Sequence, residues 1–464
     1  MSRLRIFLLV LVAAFGNAAM AQGVALPEYH YVELDNGAVF ILTEKRDVPL
    51  IGVTALLRGG AVTDPEGKAG LSSIFAEMLQ KGAGSRDAEA FAEAVDSAGA
   101  TLSTSAGLET ISISGEFLAQ DAGLLVELIS DMLKDPALQK REFEKLRDRN
   151  ADLLRAAKDG DLRSLSPIYG SAWLFRDHPY GTPVDGDESS LASLRHDDLV
   201  NYYRDYVGAD RVIISVVGDF DPAQMINELT AAFSDWRAAA EPLPEIEPAA
   251  PEQGRRVLLV DKPGATQTYF WIGNVGVARS FPQRAELDIA NTLFGGRFTS
   301  LLVDEMRTKA GLTYGVYSSL SRPTWPGAFA IVSYTKTDST IVAIDLAIDL
   351  LAKMREEGFS DELVTSGKNY ILGQFPPRLE TAAQLANQFA ALQAAGLDES
   401  YINNYGDAVA GAASEDIMTV IKDVYPAPDD LVLVIIGDAS QIREDIAKYG
   451  PVTEMSITEP HFTP

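Results

Sequence analysis

The chain has 464 residues, of which 47% are apolar and 8% aromatic, and it carries 66 acidic against 39 basic side chains. This apolar content excludes a disordered polymer, and the absence of cysteine excludes both disulfides and thiolate metal sites. The formal net charge of −27 argues against a protein that binds nucleic-acid phosphates and is typical of a solvated acidic surface.

The first 21 residues have the pattern of a secretory signal peptide. Arg3 and Arg5 give a basic start, residues 6–15 form a short apolar run, and small residues lead up to Ala21. The run is too short to span a bilayer, and no longer apolar run follows it. We therefore expect cleavage before Gln22, export to a bacterial periplasm, and no membrane span in the mature chain.

The first part of the mature chain combines a hairpin with amphipathic helices. Residues 31–34 and 38–42 flank Asp35-Asn36-Gly37, a sequence typical of a tight hairpin turn. Apolar residues that recur with helical spacing predict helices over residues 68–80, 139–158 and 187–206.

Residues 238–254 are rich in proline and glutamate and predict a stiff, solvated linker. The segments before the linker and near the end of the chain are alike, because each is an apolar run that ends in Gly-Asp. One offset of 219 residues relates the matching pairs Tyr206/Tyr425, Asp210/Asp429, Gly218/Gly437 and Asp219/Asp438. We therefore expect a duplicated domain, with an N-terminal copy over residues 22–237 and a C-terminal copy over residues 255–464.

The second copy has the same mixture of elements as the first. We expect strands over residues 256–260 and 266–275, and helices over residues 284–294, 297–309, 340–356 and 361–374. Since the strands come in hairpins, the predicted fold class is α+β. Each of the two homologous domains should have a mainly antiparallel sheet with helices packed on one face.

Several short motifs, taken in order, carry a resemblance to a known family. They are Leu34-Asp-Asn-Gly37, Arg58-Gly-Gly60, Gly70 to Gly82, His178-Pro-Tyr-Gly181, Val260 to Gly264 with Gln267-Thr268, and Arg307 to Tyr314. The chain resembles the pitrilysin/insulinase zinc peptidases, in the two-domain form typical of mitochondrial processing peptidase and its bacterial relatives. The resemblance covers essentially all of the mature chain.

The resemblance implies a zinc helix that bears His-x-x-Glu-His, in which two histidines ligate zinc and the Glu is the general base. The flanking Gly-Leu and Met-Leu pairs align these three positions with Ser73, Ala76 and Glu77. The family's third ligand should fall within residues 151–154, where only Asp152 could ligate a metal. We therefore predict that this chain holds no zinc and does not cleave peptides alone; a metal held by Glu77 and Asp152 is the alternative. No histidine substitutes by spacing, since the four are His30, His178, His196 and His461.

The C-terminal domain keeps the other part of the family's machinery. The resemblance implies that Arg307 and Tyr314 hold the scissile carbonyl oxygen of a peptide as negative charge develops on it. We expect Arg307 in the last turn of helix 297–309, Gly311 as the left-handed cap, and Tyr314 at the start of a strand. From the residues alone, the alternative is that Arg307 caps its own helix and Tyr314 fills the strand.

The glycine pair Gly295-Gly296, followed by Arg297, precedes that helix. Paired glycines would let a peptide backbone approach, and the helix N-terminus would favour a carboxylate, so these three residues are predicted to bind substrate. The alternative is that the segment only starts the helix, with Thr299 and Ser300 as capping residues.

These observations lead to one hypothesis and one alternative. The chain is expected to be the zinc-less subunit of a heterodimeric metallopeptidase that binds peptides or unfolded segments, with Arg307 and Tyr314 contributed to a homologous partner that carries zinc in a His-x-x-Glu-His helix. The alternative is a structural or peptide-binding protein on the same fold, with no peptidase partner.

Overall fold

The computed structural model describes residues 25–464, so the predicted signal peptide lies outside the described residues. These residues form two six-stranded sheets, one short two-stranded ribbon and helices that pack on the sheets. Within residues 25–464, no helix combines the length and the apolar character needed to cross a bilayer.

The first sheet has the strand order β1-β2-β8-β3-β7-β6. β1 and β2 form the predicted hairpin, β2 and β8 pair in parallel, and the other neighbours are antiparallel. The strands of this half, including the β4–β5 ribbon, are β1 (His30–Glu33), β2 (Val39–Glu44), β3 (Leu50–Arg58), β4 (Gly82–Ala83), β5 (Arg86–Asp87), β6 (Thr101–Ala106), β7 (Thr110–Leu118) and β8 (Val212–Gly218).

The helices predicted over residues 68–80 and 139–158 are each present as one helix, whereas the segment 187–206 forms two helices. The chain is extended at Leu194 and Arg195 because the Arg195 amide donates to Asp198 Oδ2 at 2.8 Å, which starts a new helix. The prediction of one helix over 187–206 was therefore wrong. The helices are α1 (Leu71–Met78), α2 (Ala88–Ser97), α3 (Ala122–Lys134), α4 (Lys140–Gly160), α5 (Leu162–Phe175), α6 (Glu188–Ser193), α7 (His196–Tyr206) and α8 (Pro222–Phe233).

The second sheet has the order β11-β12-β10-β13-β9-β14. Its strands are β9 (Arg256–Asp261), β10 (Gln267–Val275), β11 (Val316–Leu320), β12 (Ala328–Lys336), β13 (Val432–Gly437) and β14 (Val452–Ser456). The α-helices of this half are α9 (Arg284–Asn291), α10 (Thr340–Glu357), α11 (Asp361–Gln374), α12 (Ala382–Ala394), α13 (Ser400–Asn403), α14 (Tyr405–Gly411), α15 (Ser414–Val424) and α16 (Ala439–Ile446), and a π-helical stretch, Val303–Lys309, lies between α9 and β11.

The two sheets repeat one arrangement, as the sequence predicts. Strands β2, β8, β3, β7 and β6 follow one another in space as β9, β13, β10, β12 and β11 do in the second sheet. The two Gly-Asp strands, β8 and β13, are fully buried, and each lies parallel to the first long strand of its half. The fold is therefore a duplicated α+β unit with mainly antiparallel sheets.

Each sheet also receives one helix from the other half, which the sequence did not predict. α5 packs on β10 and β13, whereas α12 packs on β3 and β8, in each case on the face opposite the sheet's own helices. Glycines allow both close approaches. A Cβ added at Gly170 of α5 would lie 2.5 Å from Cδ2 of Trp271, and one at Gly52 of β3 would lie 2.4 Å from the Ala383 amide nitrogen of α12. The two halves are interlocked by this exchange.

Candidate functional site

The three positions that correspond to the zinc motif lie on α1. One has no ligand atom in its side chain, and the side chains of the other two are engaged in hydrogen bonds within the protein. Ala76 is fully buried and offers no ligand atom. Ser73 Oγ donates to Asp185 Oδ1 at 2.7 Å. Glu77 holds both of its oxygens in contacts from α4, because Asn150 Nδ2 donates to Oε1 at 2.8 Å and Arg149 Nη2 donates to Oε2. A closed polar cluster of Glu77, Arg149 and Asn150 thus joins α1 to α4.

Asp152 does not belong to this cluster. Its Oδ1 accepts from Arg155 Nη1 at 2.8 Å, and its side chain is 75% exposed. A helix turns by about 100° per residue, so the side of α4 that presents residues 149 and 150 to α1 turns residue 152 away. Of the interval 151–154 predicted for a third ligand, Leu153 and Leu154 line the same cavity as Glu77, whereas Asp152, its one possible ligand, does not; the α4 residues that contact Glu77 are Arg149 and Asn150.

The residues present do not fit a zinc ion. Both oxygens of Glu77 are engaged, and the Arg149 guanidinium brings positive charge to the carboxylate that a cation would need. In the described part of the chain, no three His, Asp or Glu side chains cluster closely enough to hold a metal. Two of the histidines contact backbone carbonyl oxygens: His178 Nε2 lies 2.9 Å from Glu247 O, and His196 Nε2 lies 2.6 Å from Leu138 O.

A cavity of about 620 Å³ lies beside the polar cluster. Its walls come from α4, from α5, from the loop over residues 180–186 and from Phe462 near the C-terminus. Apolar side chains dominate them, among them Leu153, Leu154, Leu165 and Ile168, while Glu77 and Asn150 are among its polar groups. The degenerate helix thus borders a mostly apolar space that is large enough for a side chain or a short peptide segment.

The helix that carries Arg307 starts later than predicted and is wider than an α-helix. Residues 297–300 form a turn, the helix begins at Leu301, and residues Val303–Lys309 have π-helical bonding, with the Ala310 amide donating to Glu305 O at 3.0 Å. Gly311 has the predicted left-handed conformation, with φ of 63°. Tyr314 precedes β11 by two residues instead of starting it. π-Helical turns are frequent at functional sites.

Arg307 and Tyr314 are both available to an external molecule. Tyr314 is 81% exposed and does not pack in the sheet. The guanidinium of Arg307 lies 4.8 Å from the ring centre of Phe298, which is itself 71% exposed. The nearby carboxylates of Asp304 and Glu305 are paired with Lys309 at 2.8 and 2.9 Å. Within residues 25–464, Arg307 therefore has no carboxylate partner, and it makes no hydrogen bond to the end of its own helix.

Within one chain, the structure does not bring Arg307 and Tyr314 together with the degenerate zinc positions on α1. Arg307 and Tyr314 do not line the cavity beside Glu77. Helix α5 contacts both regions: Ser164 lines that cavity, and Arg163 Nη2 is 3.4 Å from where a Cβ of Gly315 would lie. Within one chain, Arg307 and Tyr314 thus lie outside the cavity that borders Glu77.

The predicted substrate-binding residues Gly295, Gly296 and Arg297 differ in their surroundings. Gly295 is buried, and a Cβ added there would lie 2.4 Å from the Ser318 amide nitrogen of β11. Gly296 is exposed. Arg297 Nη1 donates to Ser366 Oγ on α11 at 3.0 Å. Contact of these residues with a peptide stays a prediction.

Three residues of this region were missed from the sequence. Arg149 and Asn150 lie in a charged stretch of α4 that reads as a solvated helix face, and only the crossing of α1 and α4 places them on Glu77. Phe298 directly follows the Gly-Gly-Arg segment in the sequence, and an aromatic residue beside a predicted binding segment was a usable signal; its 71% exposure is evident only from the structure.

The comparisons with known proteins indicate one family. Residues 41–184 match the model of insulinase, peptidase family M16, and residues 193–371 match the model of the peptidase M16 inactive domain. An uncharacterised zinc protease of Streptomyces coelicolor is 23% identical over 76% of this chain and 78% of its own length. The non-peptidase homologue YmxG of Helicobacter pylori is 22% identical over 88% of this chain and 93% of its own length.

Two solved structures share the fold. The crystal structure of a peptidase M16 inactive domain from Pseudomonas fluorescens has a TM-score of 0.81 at 21% identity and covers 89% of this chain and 98% of its own. A protease from Helicobacter pylori also has a TM-score of 0.81, at 18% identity, and covers 89% of this chain and all of its own. The two family models together match well over half of the sequence. The chain belongs to the insulinase family of peptidases, family M16.

Proposed function

We propose that this chain is the zinc-less subunit of a heterodimeric metallopeptidase. It is inactive alone, and it lends Arg307 and Tyr314 to the zinc site of a homologous His-x-x-Glu-His partner. One contrast carries the proposal. The metal positions have become a closed polar cluster around Glu77, whereas Tyr314 is exposed and the half-buried Arg307 contacts only the ring of Phe298, with no carboxylate partner in the described chain.

The chemistry of the pair suits a site that lies outside its own chain. A guanidinium and a phenolic O–H can both donate hydrogen bonds to a carbonyl oxygen on which negative charge grows during peptide cleavage. The ring of Phe298 under Arg307 favours one orientation of the guanidinium. The match to an inactive-domain model, and the relative named a non-peptidase homologue, support a non-catalytic family member.

The substrate class is proposed to be peptides or unfolded segments. Strand β6 ends the first sheet, and its backbone pairs with β7 on one side only. Its side chains, in the sequence Thr-Leu-Ser-Thr-Ser-Ala, alternate between exposed and half-buried. An extended peptide could add to such an edge as a further strand. The N-terminal signal pattern adds the proposal that this takes place in the periplasm.

Co-expression with an M16 homologue that bears His-x-x-Glu-His tests this proposal. We expect the two chains to copurify, zinc to follow the homologue, and Arg307→Ala or Tyr314→Phe to lower peptide cleavage by the pair about a hundredfold. Arg46→Ala, which also removes an arginine but on an exposed loop, is the matched control. Cleavage that is equal with and without this chain would refute the proposal and favour a binding protein without a peptidase partner.

A further inference from the structure

A second cavity, of about 510 Å³, lies between the two halves of the chain and the linker. Leu56 belongs to the first half, Leu243 and Ile246 to the linker, and Trp325 to the loop between β11 and β12. Helix α12 closes one side with Ala391 and its neighbours. This cavity shares only Leu108 with the cavity beside Glu77, and neither Arg307 nor Tyr314 lines it.

The charged groups of this second cavity are mostly positive. Arg58, Arg279 and Arg322 line it, together with one carboxylate, that of Glu109. Arg322 Nη2 is bound to Asp288 Oδ1 at 2.7 Å. Glu109 is engaged by the Tyr180 hydroxyl at 2.6 Å, and by the amide and hydroxyl of Thr324 at 2.9 and 3.0 Å.

Arg58 and Arg279 have no acidic partner. In the part of the chain that the structure describes, no carboxylate lies within 4.0 Å of either guanidinium, although the protein has 66 acidic side chains. Arg58 makes one long hydrogen bond, from Nη2 to Asp210 O at 3.4 Å, and Arg279 makes one from Nε to Arg322 O at 3.2 Å. Nε of Arg58 and Nη1 of Arg322 are buried without any acceptor.

Unmet guanidinium donors are costly when they are buried, and a carboxylate is the acceptor that matches their planar geometry. The remainder of the wall, with Leu56, Leu243, Ile246 and Trp325, suits an apolar body. We infer that the cavity between the halves binds the carboxylate of an apolar acid through Arg58 and Arg279. The C-terminal residue of a peptide and a free medium-chain fatty acid both have this chemistry. The site does not depend on the proposed roles of Arg307 and Tyr314.

Calorimetric titration of the purified chain tests the inference with two acids, octanoate and N-acetyl-alanyl-leucine, each compared with its neutral amide. We expect at least one acid to bind about tenfold or more tightly than its amide, because only the acid can pair with the guanidinium groups. Arg58→Gln and Arg279→Gln should each weaken binding about tenfold, and Arg46→Gln, on an exposed loop, should leave it unchanged. The bound acid should also raise the melting temperature, because both halves and the linker contribute to the wall.

The outcomes separate clearly. Binding of octanoate alone supports the site and assigns it to free acids, whereas binding of the peptide alone supports it and assigns it to peptide C-termini. Equal affinity for acid and amide overturns the inference, as does the absence of binding by either acid at millimolar concentration. Unchanged affinity in Arg58→Gln and Arg279→Gln overturns it as well. The comparison of acid with amide uses the unaltered protein, so a variant that fails to fold does not affect it.

Discussion

The exchange of α5 and α12 between the halves predicts an unusual response to Gly170→Ala. Gly170 lies inside α5, and replacing glycine by alanine within a helix ordinarily stabilises it by about 1 kcal/mol. Here the new Cβ would lie 2.5 Å from Cδ2 of Trp271, about 1 Å closer than carbon atoms in ordinary contact. Trp271 is only 2% exposed and is packed in the core between α5 and the second sheet, so it cannot turn out into solvent to relieve the contact.

Overpacking costs about 1–3 kcal/mol, and the distances of 2.5, 2.6 and 2.7 Å to three ring atoms of Trp271 place this change in the upper part of that range, at about 2–3 kcal/mol. The gain in helix propensity of about 1 kcal/mol offsets only part of this cost. We therefore expect Gly170→Ala to lower the free energy of unfolding by about 1–2 kcal/mol. Gly52→Ala should lower it similarly, because its Cβ would lie 2.4 Å from the Ala383 amide nitrogen. Gly373→Ala is the matched control: Gly373 lies in α11, a Cβ there meets nothing within 4 Å, and we expect a gain of about 0.5–1 kcal/mol.

Urea unfolding of the three variants and the parent chain, followed by circular dichroism and by tryptophan fluorescence, measures these changes. Trp271, one of the four tryptophans that contribute to the fluorescence, lies at the contact between α5 and the second sheet. If Gly170→Ala were as stable as Gly373→Ala, α5 would not pack on Trp271 as described, and the interlocked arrangement of the halves would be refuted.

Three further predictions concern single residues. Glu77→Gln should leave cleavage by the reconstituted pair unchanged in a peptide assay, because Glu77 is bound to α4 and takes no part in the chemistry. Phe298→Ala should lower kcat/KM of the pair by about two- to fivefold through the loss of a cation–π contact, with no change in the melting temperature of the lone chain, since Phe298 is 71% exposed. Burial raises the pKa of Asp64 from 3.8 to about 7. The amides of Gly70 and Ser72 donate hydrogen bonds to its carboxylate and lower the pKa, but the effect of burial is larger. The folded chain then keeps a proton that the unfolded chain releases, so stability should fall by up to about 4 kcal/mol between about pH 4 and pH 7, and Asp64→Asn should flatten this slope in urea unfolding.

Much of the fold was predictable because it depends on local patterns. The hairpin of β1 and β2, the two Gly-Asp strands and the left-handed Gly311 each follow from a few adjacent residues. The exchange of α5 and α12 was not predictable, since an amphipathic helix does not encode which of two similar sheets it covers. The break at Leu194 depends on one side-chain capping bond, which periodicity does not detect.

In the candidate site too, the features set by short local motifs were predictable, and those set by the packing of helices were not. Alignment on short motifs located Ser73, Ala76 and Glu77 correctly on one helix, α1, and their loss of ligand chemistry was evident from the sequence. The contacts of Arg149 and Asn150 with Glu77 depend on how α1 and α4 cross, and no local pattern in the sequence specifies that crossing. The helix that carries Arg307 starts later than predicted because residues 297–300 form a turn, and apolar periodicity does not separate such a turn from the first turn of a helix.

The central claim is that this chain lacks its own metal chemistry and supplies Arg307 and Tyr314 to a partner. Zinc content and chelator-sensitive peptide cleavage, measured for the chain alone and together with a His-x-x-Glu-His homologue, test the claim most directly. The account predicts no stoichiometric zinc and no cleavage for the lone chain, and cleavage by the pair that falls about a hundredfold with Arg307→Ala. Stoichiometric zinc and chelator-sensitive cleavage in the lone, homogeneous chain would contradict it.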